Sequence, residues 1–435
     1  MRLTACALRF ARMSSVELRN LTYDELIERA LRLEGQVLEL RGQISNLQGV
    51  KPTKKINPPD FSKFAKRRIA LKILYMGWDY SGLARQEVNK STIAEKLLDA
   101  FTRCRMLENS STAGFAVCGR TDKGVSGLSQ VVTLTLRSNV HSGIGVICPE
   151  NTDDLYPEKP EYDYVFIGNR NLPPEIRILA WCPVPLEFSP RHDCTSRSYK
   201  YFFPAADLNI DIMRKAAAKL EGQHDFRNFC TSQVANGVVN HERVIYSVTI
   251  SDKDEDKTDP RRFCCLDIRG SSFLYHQIRC IVSLLVTIGR GLEPSELIDC
   301  LLDVQQTPAK PQYQMAEPEP LLFFEPEFQN LEWQTSPAAQ EDILRTLQTL
   351  WTKLSVRAKV AETMLKTVEQ LFLECSPNNY TWAITHEAPS IVREKRKPIL
   401  KRSTEETLEE RVKKLEAKRA NMQCQEVADT GEDGD

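Results

Sequence analysis

The 435-residue sequence lacks several features that would place it in other classes of protein. Its 13 cysteines are scattered without any C-x-x-C pair, which predicts reduced thiols rather than a disulfide framework or a structural zinc site. The best apolar run, Ile278 to Ile288, is interrupted by Arg279 and is too short to cross a bilayer. We therefore expect a globular protein with no membrane partner and no bound metal.

Signature loops for nucleotides and for zinc deaminases are missing as well. Gly119 and Gly124 have the glycine spacing of a G-x-x-x-x-G-K-[ST] phosphate loop, but Val125 follows where that loop requires Lys. No G-x-G-x-x-G opens a helix, and no H-x-E is combined with P-C-x-x-C. These absences argue against Rossmann methyltransferases and zinc deaminases, and we expect no cofactor.

An overall excess of positive charge is also absent, since the formal net charge is −1. A surface for nucleic acid must then be a local patch. Residues 51–72 form one such patch, with eight Lys or Arg against one Asp. The sequence leaves open whether this patch contacts an RNA backbone or is a solvated charge run. A second basic cluster, residues 393–402, is fit for nuclear import or for phosphate contact.

The N-terminal part of the chain has a helical pattern. Residues 22–48 carry apolar side chains at alternating steps of four and three, which predicts about three heptads of a coiled coil and a homodimer built on it. A helix packed on its own domain fits the same pattern equally well. Arg2, Arg9 and Arg12, without any acid in the first 16 residues, are compatible with a mitochondrial presequence. We expect the protein in the nucleus and cytoplasm, with the mitochondrion as an alternative.

Strands and helices alternate twice in the middle of the chain, which indicates an α+β or α/β core with a cleft between two halves. Strands are predicted at 69–75, 197–203, 241–251 and 263–269, and helices at 92–107, 209–221, 273–289 and 294–303. The predicted organisation is a targeting or disordered segment at 1–21, a helix at 22–48, a basic linker at 49–66, halves at 67–185 and 186–335, a helical extension at 336–392, and a basic then acidic tail at 393–435.

The most informative stretch is FAVCGRTDKGVSGLSQVVTLTL, residues 115–136. A short apolar run leads into a loop with three glycines, and an alternating strand follows. The single acid of the loop, Asp122, lies between Arg120 and Lys123. Neighbouring cations favour the ionised carboxylate that a nucleophile or proton acceptor needs. The alternative is an aspartate that only caps a turn.

The string GRTDKGVSG resembles the signature loop of the TruA family of tRNA pseudouridine synthases, G-R-T-D-x-G-V. RSYKYFF at 197–203 is similar to the R-x-Y-x-Y strand of that family, and SSFLYHQIRCIV at 271–282 to its third motif. The resemblance covers about residues 66–330 and departs from the eukaryotic members at Gly127, where Ala is usual, and at Ala84-Arg85.

The resemblance implies a role for each matching residue. Asp122 is implied as the catalytic carboxylate, Arg279 as its salt-bridge partner and Tyr199 as the residue that stacks on the target base. The implied substrate-binding residues are Arg120, Lys123, Leu274 and His276, of which Arg120 would help to open the RNA stack. A uridine inside a helical arm must be flipped out before its glycosidic bond can be broken.

The resemblance also implies the fold and the reaction. The implied fold is α+β, with two ferredoxin-like (RRM-like) halves that share a mixed, mainly antiparallel sheet around a central active-site cleft. Strings such as YMGWDYSG and GQHDFRNFC are closest to the eukaryotic subgroup that converts uridine to pseudouridine at positions 38 and 39 of the tRNA anticodon arm. Two alternatives stay open: an inactive tRNA-binding protein of the same fold, and a synthase acting on other uridines.

Overall fold

A computed structural model describes residues 60–149, 156–234, 237–252, 259, 261–373 and 397–417. The predicted coiled coil at 22–48 and the segment 1–21 lie outside these described residues. The described residues all fall in one compact unit. The proposed domain limits therefore stay predictions.

Ten strands form a single mixed sheet. They are β1 Ala65–Tyr75, β2 Ala116–Val117, β3 Ser126–Ser138, β4 Val146–Ile147, β5 Ile176–Pro183, β6 Cys194–Pro204, β7 Gly222–Asp225, β8 Glu242–Asp252, β9 Phe263–Gly270 and β10 Leu321–Phe328. The main order is β4-β1-β3-β10-β6-β9-β8-β7, with β5 also paired to β1 and β2 to β3. Every described pairing is antiparallel except that of β3 with β10. The predicted α+β class with a mixed sheet is confirmed.

The helices of the described chain are α1 Ile93–Arg103, α2 Tyr164–Asn169, α3 Ile210–Ala218, α4 Gln277–Gly289, α5 Leu297–Leu302 and α6 Pro337–Leu373, with a further helical segment at 408–417. Thr92 caps α1 by accepting a hydrogen bond from the Glu95 backbone N–H, as its capping-box pattern predicts. The prediction extended α1 to residue 107, whereas the helix ends at Arg103 and Arg105 turns left-handed (φ 59°).

The two halves repeat one order of elements. Residues 65–183 contain β1-α1-β2-β3-α2-β5, with the two-residue strand β4 between β3 and α2, and these main strands lie in the order β5-β1-β3-β2. Residues 194–328 contain β6-α3-β8-β9-α4-β10, with strands in the order β10-β6-β9-β8. Strand β10, which the sequence did not predict, pairs with β3 of the first half and β6 of the second. It therefore joins the halves into one sheet.

The two larger of three hydrophobic clusters among the described residues support this sheet. Strands β1, β3 and β5 pack with α1 and α2 around fully buried side chains such as Leu71 and Phe101. The second half packs β6, β8 and β9 with α3, α4 and α5, and includes the buried Ile399 from the C-terminal part of the chain. Each large apolar side chain buried in this way contributes about 1.5–3 kcal/mol. No helix within the described residues is long and apolar enough to span a membrane.

Two predicted boundaries are wrong in ways that affect the site. Strand β1 starts at Ala65 rather than at residue 69, so the end of the predicted basic linker belongs to the sheet. Helix α4 starts at Gln277 rather than at residue 273. Leu274 and His276 consequently lie before the helix, in the segment that leads into its first turn.

Candidate active site

Asp122 lies in the loop between β2 and β3, the loop with the signature string. The loop is tied to residues 76–83 by backbone hydrogen bonds, from Leu83 N–H to the Thr121 carbonyl (3.2 Å) and from Gly124 N–H to the Tyr80 carbonyl (3.3 Å). Gly124 has a φ of 84°, which glycine adopts without strain. The hydroxyls of Tyr75 and Thr121 are 2.8 Å apart below the loop. The residue before Asp122 is therefore fixed to β1.

The Asp122 carboxylate points to two side chains from the other half of the sheet. Its Oδ2 is 3.4 Å from Arg279 Nη1 and 3.3 Å from His276 Nε2. The Asp122 side chain is 20% exposed, so substrate can still reach it. No backbone N–H within residues 119–127 donates to this carboxylate. The Asp122 carboxylate therefore faces Arg279 and His276 rather than the N–H groups of its own loop.

Arg279 is held in the first turn of α4 by a second interaction. Its Nε donates to the Ala316 carbonyl (2.8 Å), and the Ala316 N–H donates to the Arg279 carbonyl (3.2 Å). The arginine side chain is only 13% exposed. An arginine fixed in this way keeps its guanidinium beside the carboxylate with little loss of side-chain freedom on pairing.

His276 forms the N-cap of α4 with a left-handed backbone (φ 63°, ψ 6°). Its ring stacks on that of Tyr275 at a centroid distance of 3.6 Å, and its Nδ1 is 2.9 Å from Thr231 Oγ1. Burial lowers the pKa of His276, and the nearby Asp122 carboxylate opposes that shift. The imidazole is consequently neutral at pH 7.

Tyr199 on β6 lies between two aromatic rings. Its ring meets Phe273 at 5.2 Å and Phe323 at 5.1 Å, both edge to face. A Cβ placed on Gly119 would lie 4.0 Å from the Tyr199 hydroxyl, which puts the phenol beside the signature loop. Burial raises the pKa of Tyr199 well above 10, so the phenol keeps its proton at neutral pH.

Arg197 supports this arrangement from below. Its guanidinium donates to the carbonyls of Cys118 (3.3 Å), Arg191 (2.7 Å) and Ser271 (2.9 Å). It thereby links the start of the signature loop to the turn before α4. Arg197 is 7% exposed, so these carbonyls replace the water that an exposed guanidinium would bind.

The remaining predicted site residues differ in how exposed they are. Arg120 and Lys123 are exposed on the signature loop, where their charges face solvent. Leu274 is 8% exposed and belongs to the second hydrophobic core. The structure therefore brings Asp122, Arg279 and His276 into contact, and leaves Arg120 and Lys123 on the rim.

Several residues of the site carried no signal in the sequence. Phe273 and Phe323 hold Tyr199, and Thr231 holds His276, yet none of the three stands in a charge cluster or a glycine loop. Phe273 lies within the third motif, just before α4. An aromatic residue at that place was the signal that could have pointed to it. Thr231 and Phe323 come from distant segments whose approach depends on the sheet order.

A cavity of about 840 Å³ is separate from this centre and is lined mainly by apolar residues, including Trp78, Phe202 and Phe263. Asp122, Tyr199 and Arg279 do not line it. Within the described residues, no group of three or more His, Cys, Asp or Glu is arranged to hold a metal ion.

A family model described as tRNA pseudouridine synthase matches residues 216–329. Proteins called tRNA pseudouridine(38/39) synthase are similar over most of the chain. The Homo sapiens protein is 40% identical over 367 residues, covering 81% of this chain and 76% of the relative. The Bos taurus protein is 39% identical over 368 residues, with the same two coverages.

A more distant relative of the same name, from Saccharomyces cerevisiae, is 39% identical over 280 residues, covering 63% of this chain and 60% of its own. The chain belongs to the TruA-type tRNA pseudouridine synthases, the isomerases that convert uridine to pseudouridine in tRNA. Among solved structures, an archaeal box H/ACA sRNP Nop10-Cbf5 complex aligns with a TM-score of 0.22 and 10% sequence identity. The alignment covers 50% of this chain and 43% of that chain, and the likeness is too weak to support an inference.

Proposed function

We propose that this enzyme isomerises uridines 38 and 39 in the anticodon arm of tRNA, with Asp122 as the catalytic carboxylate. The observation that carries the proposal is the contact of Asp122 with Arg279, which joins the signature loop to α4 across the sheet. The names of the Homo sapiens and Bos taurus relatives support the choice of positions. The strings YMGWDYSG and GQHDFRNFC, which resemble that subgroup, belong to the same sequence likeness.

The reaction requires the N1–C1′ bond of uridine to break, the base to turn, and a C5–C1′ bond to form. The ionised Asp122 acts at the ribose as nucleophile or as base, and the Arg279 guanidinium holds it in place. Tyr199 stacks on the flipped base and retains it after detachment. Formation of the C5–C1′ bond releases the C5 proton, which the Asp122 carboxylate or water takes up, and N1 gains a proton. The protonated Tyr199 phenol can donate a hydrogen bond to the base during this exchange. None of these steps uses a cofactor.

The rim residues suit the opening of the RNA. Arg120 and Lys123 are exposed next to Asp122, where their charges meet phosphates and help to extrude the nucleotide. Leu274 and His276 close the pocket on the side of α4. We assign these four residues to substrate binding.

We further propose that the two halves are ferredoxin-like. Apart from the short elements β4, β7 and α5, each half runs β-α-β-β-α-β. The strand orders β5-β1-β3-β2 and β10-β6-β9-β8 both correspond to the order 4-1-3-2 within the half. The active site then lies where the halves meet, since Asp122 belongs to one and Arg279 to the other.

The function is tested by mapping pseudouridine in tRNA from cells that lack the protein and in cells complemented with it. Selective chemical modification followed by primer extension would show loss of pseudouridine at positions 38 and 39 and its return on complementation. Unmodified tRNA transcripts incubated with the purified protein give the direct test. Modification confined to other uridines would show that the enzyme does not act at positions 38 and 39. Binding of tRNA without modification would show that the protein is an inactive relative.

We also propose a homodimer formed through residues 22–48, because their heptad pattern suits a coiled coil. Light scattering of the full chain and of a variant without residues 1–50 tests it. A dimer that becomes a monomer on truncation supports dimerisation through residues 22–48. A monomer in both cases contradicts the proposal.

For location, we propose the nucleus and cytoplasm on the basis of the basic cluster 393–402, in which Lys397 and Lys401 are exposed. A fluorescent fusion with these two lysines changed to Ala should lose nuclear signal. Signal in mitochondria that requires residues 1–16 would favour the alternative location.

A further inference from the structure

His276 holds a backbone conformation that its side chain does not favour. The residue is left-handed at the N-cap of α4, yet its side chain makes no capping hydrogen bond to the helix. Instead, the imidazole connects two other residues, with Nε2 3.3 Å from Asp122 Oδ2 and Nδ1 2.9 Å from Thr231 Oγ1. A strained residue whose side chain turns away from its own helix towards the carboxylate points to a function for that side chain.

Building on the proposed function of Asp122, we propose that His276 and Thr231 are positioning residues for the reaction. The Thr231 hydroxyl donates to His276 Nδ1, which directs the Nε2–H towards Asp122 and holds the carboxylate in one orientation beside Arg279. His276 therefore does more than line the substrate pocket. Thr231 acts on the reaction only through His276.

The charges around the imidazole fix its tautomer. Burial lowers the pKa of His276; the Asp122 carboxylate raises it, and the cations Arg279 and Lys310 lower it further. A neutral imidazole carries one N–H, and that proton is best placed on the nitrogen that faces the carboxylate. Nδ1 is then an acceptor. The other acceptor near the Thr231 hydroxyl, the Met315 sulfur at 3.9 Å, is weaker than the ring nitrogen.

The surroundings hold the imidazole in this orientation. The Thr231 backbone N–H donates to the Tyr275 carbonyl (3.0 Å), which ties Thr231 to the turn that contains His276. The Tyr275 ring covers one face of the imidazole at an angle of 27°. Because Thr231 and Tyr275 hold the His276 imidazole in place, the imidazole can keep the Asp122 carboxylate in one orientation. Supporting residues orient catalytic groups in the same way in other enzymes.

The test compares substitutions that separate hydrogen bonding from shape. Thr231→Val keeps the side-chain shape and removes the hydroxyl, whereas Thr231→Ser keeps the hydroxyl. We expect Thr231→Val to lower the single-turnover rate at saturating tRNA about tenfold and to leave the Kd for tRNA unchanged. The rate falls because the His276 imidazole, which supports the Asp122 carboxylate, loses its hydrogen bond to Thr231. Thr231→Ser should restore most of the rate. Thr349→Val is the matched control, because that hydroxyl binds only the Arg345 carbonyl on exposed α6 and should change nothing.

A double-substitution cycle identifies the route of the effect. His276→Asn is compatible with the left-handed backbone but does not reproduce the ring, and we expect a ten- to hundredfold slower turnover at saturating tRNA. Adding Thr231→Val to it should have no further effect, because Thr231 acts through the imidazole.

Wild-type rates for both single variants, or rates that multiply in the double variant, would overturn the inference. Asp122→Asn measured in parallel separates the two proposals. If Asp122→Asn is inactive while the His276 and Thr231 variants are normal, only the positioning role fails. If Asp122→Asn is fully active, the proposed function fails first.

Discussion

Asp122 and Arg279 are 157 residues apart in the sequence, and their side chains meet at 3.4 Å. One comes from the glycine loop before β3 and the other from the first turn of α4. Parallel pairing of β3 with β10, and antiparallel pairing of β10 with β6, connect the halves that carry them. The contact is thus a property of the joined sheet.

Replacement of Arg279 by Met should destabilise the fold and stop the reaction. The arginine is 13% exposed, and its loss leaves the partly buried Asp122 charge without its cationic partner, at a cost of about 1–3 kcal/mol. Urea unfolding measures the change. Arg345→Met is the control, because its pair with Glu341 is more than 70% exposed on both sides and should contribute below about 0.5 kcal/mol. Equal midpoints for the two variants would contradict the expectation.

Tyr199→Phe and Tyr199→Ala should behave differently. Phe keeps the ring between Phe273 and Phe323 and removes only the hydroxyl, whereas Ala also removes the stacking surface. Base stacking on an aromatic ring is worth about 1–3 kcal/mol, so Ala should weaken transition-state binding by that amount beyond the effect of Phe. Single-turnover kinetics on tRNA check it. Wild-type turnover in the Ala variant would make Tyr199 a core residue only.

The buried phenol of Tyr199 also predicts a dependence of stability on pH. Burial raises its folded-state pKa above the ordinary value of 10.0, so the folded protein keeps a proton that the unfolded chain loses. The stabilisation is complete below about pH 10 and is lost as the pH rises further. Wild-type protein should therefore lose stability relative to Tyr199→Phe between pH 9 and pH 11. A constant difference in urea midpoint over that range would show that the phenol is not shielded from water.

Gly127→Ala should be harmful in this chain even though Ala is usual at that place in the eukaryotic motif. A Cβ on Gly127 would lie 2.7 Å from two carbons of the Tyr75 ring, which is 1% exposed and cannot move freely. Forcing extra volume into a packed site costs about 1–3 kcal/mol. Displacing Tyr75 also disturbs its hydrogen bond with Thr121, next to Asp122.

Thermal unfolding and turnover of the Gly127→Ala variant measure both effects. Gly119→Ala is the steric control, since its nearest neighbour would be at 3.6 Å, an ordinary contact. We expect a lower Tm only for Gly127→Ala. An unchanged Tm would mean that Tyr75 has room to shift.

The sequence identified the chemistry of the site better than its geometry. Asp122 stood out because a single acid in a three-glycine loop is locally visible, and the alternating pattern of Val132 and Leu134 predicted its strand. Arg279 and Tyr199 entered through resemblance to family motifs, since no local pattern brings together residues so far apart.

The rest could not be inferred because it depends on tertiary packing. The left-handed bend at His276 has no local signal, as left-handed backbone is expected at glycine, and the apolar spacing from Leu274 onward predicted helix instead. Strand β10 was missed because Glu325, Pro326 and Glu327 break its apolar run. Its place in the centre of the sheet is decided by the neighbours on both sides.

The central claim is that the charge of Asp122 performs the reaction, and Asp122→Asn tests it directly. Asn keeps the size of the side chain and removes the charge that faces Arg279 and His276. Binding of tRNA depends mainly on phosphate contacts elsewhere and should be retained in a filter assay. Single-turnover release of tritium from C5 of labelled uridines 38 and 39 should fall by orders of magnitude. Release at a near wild-type rate would contradict the assignment of Asp122.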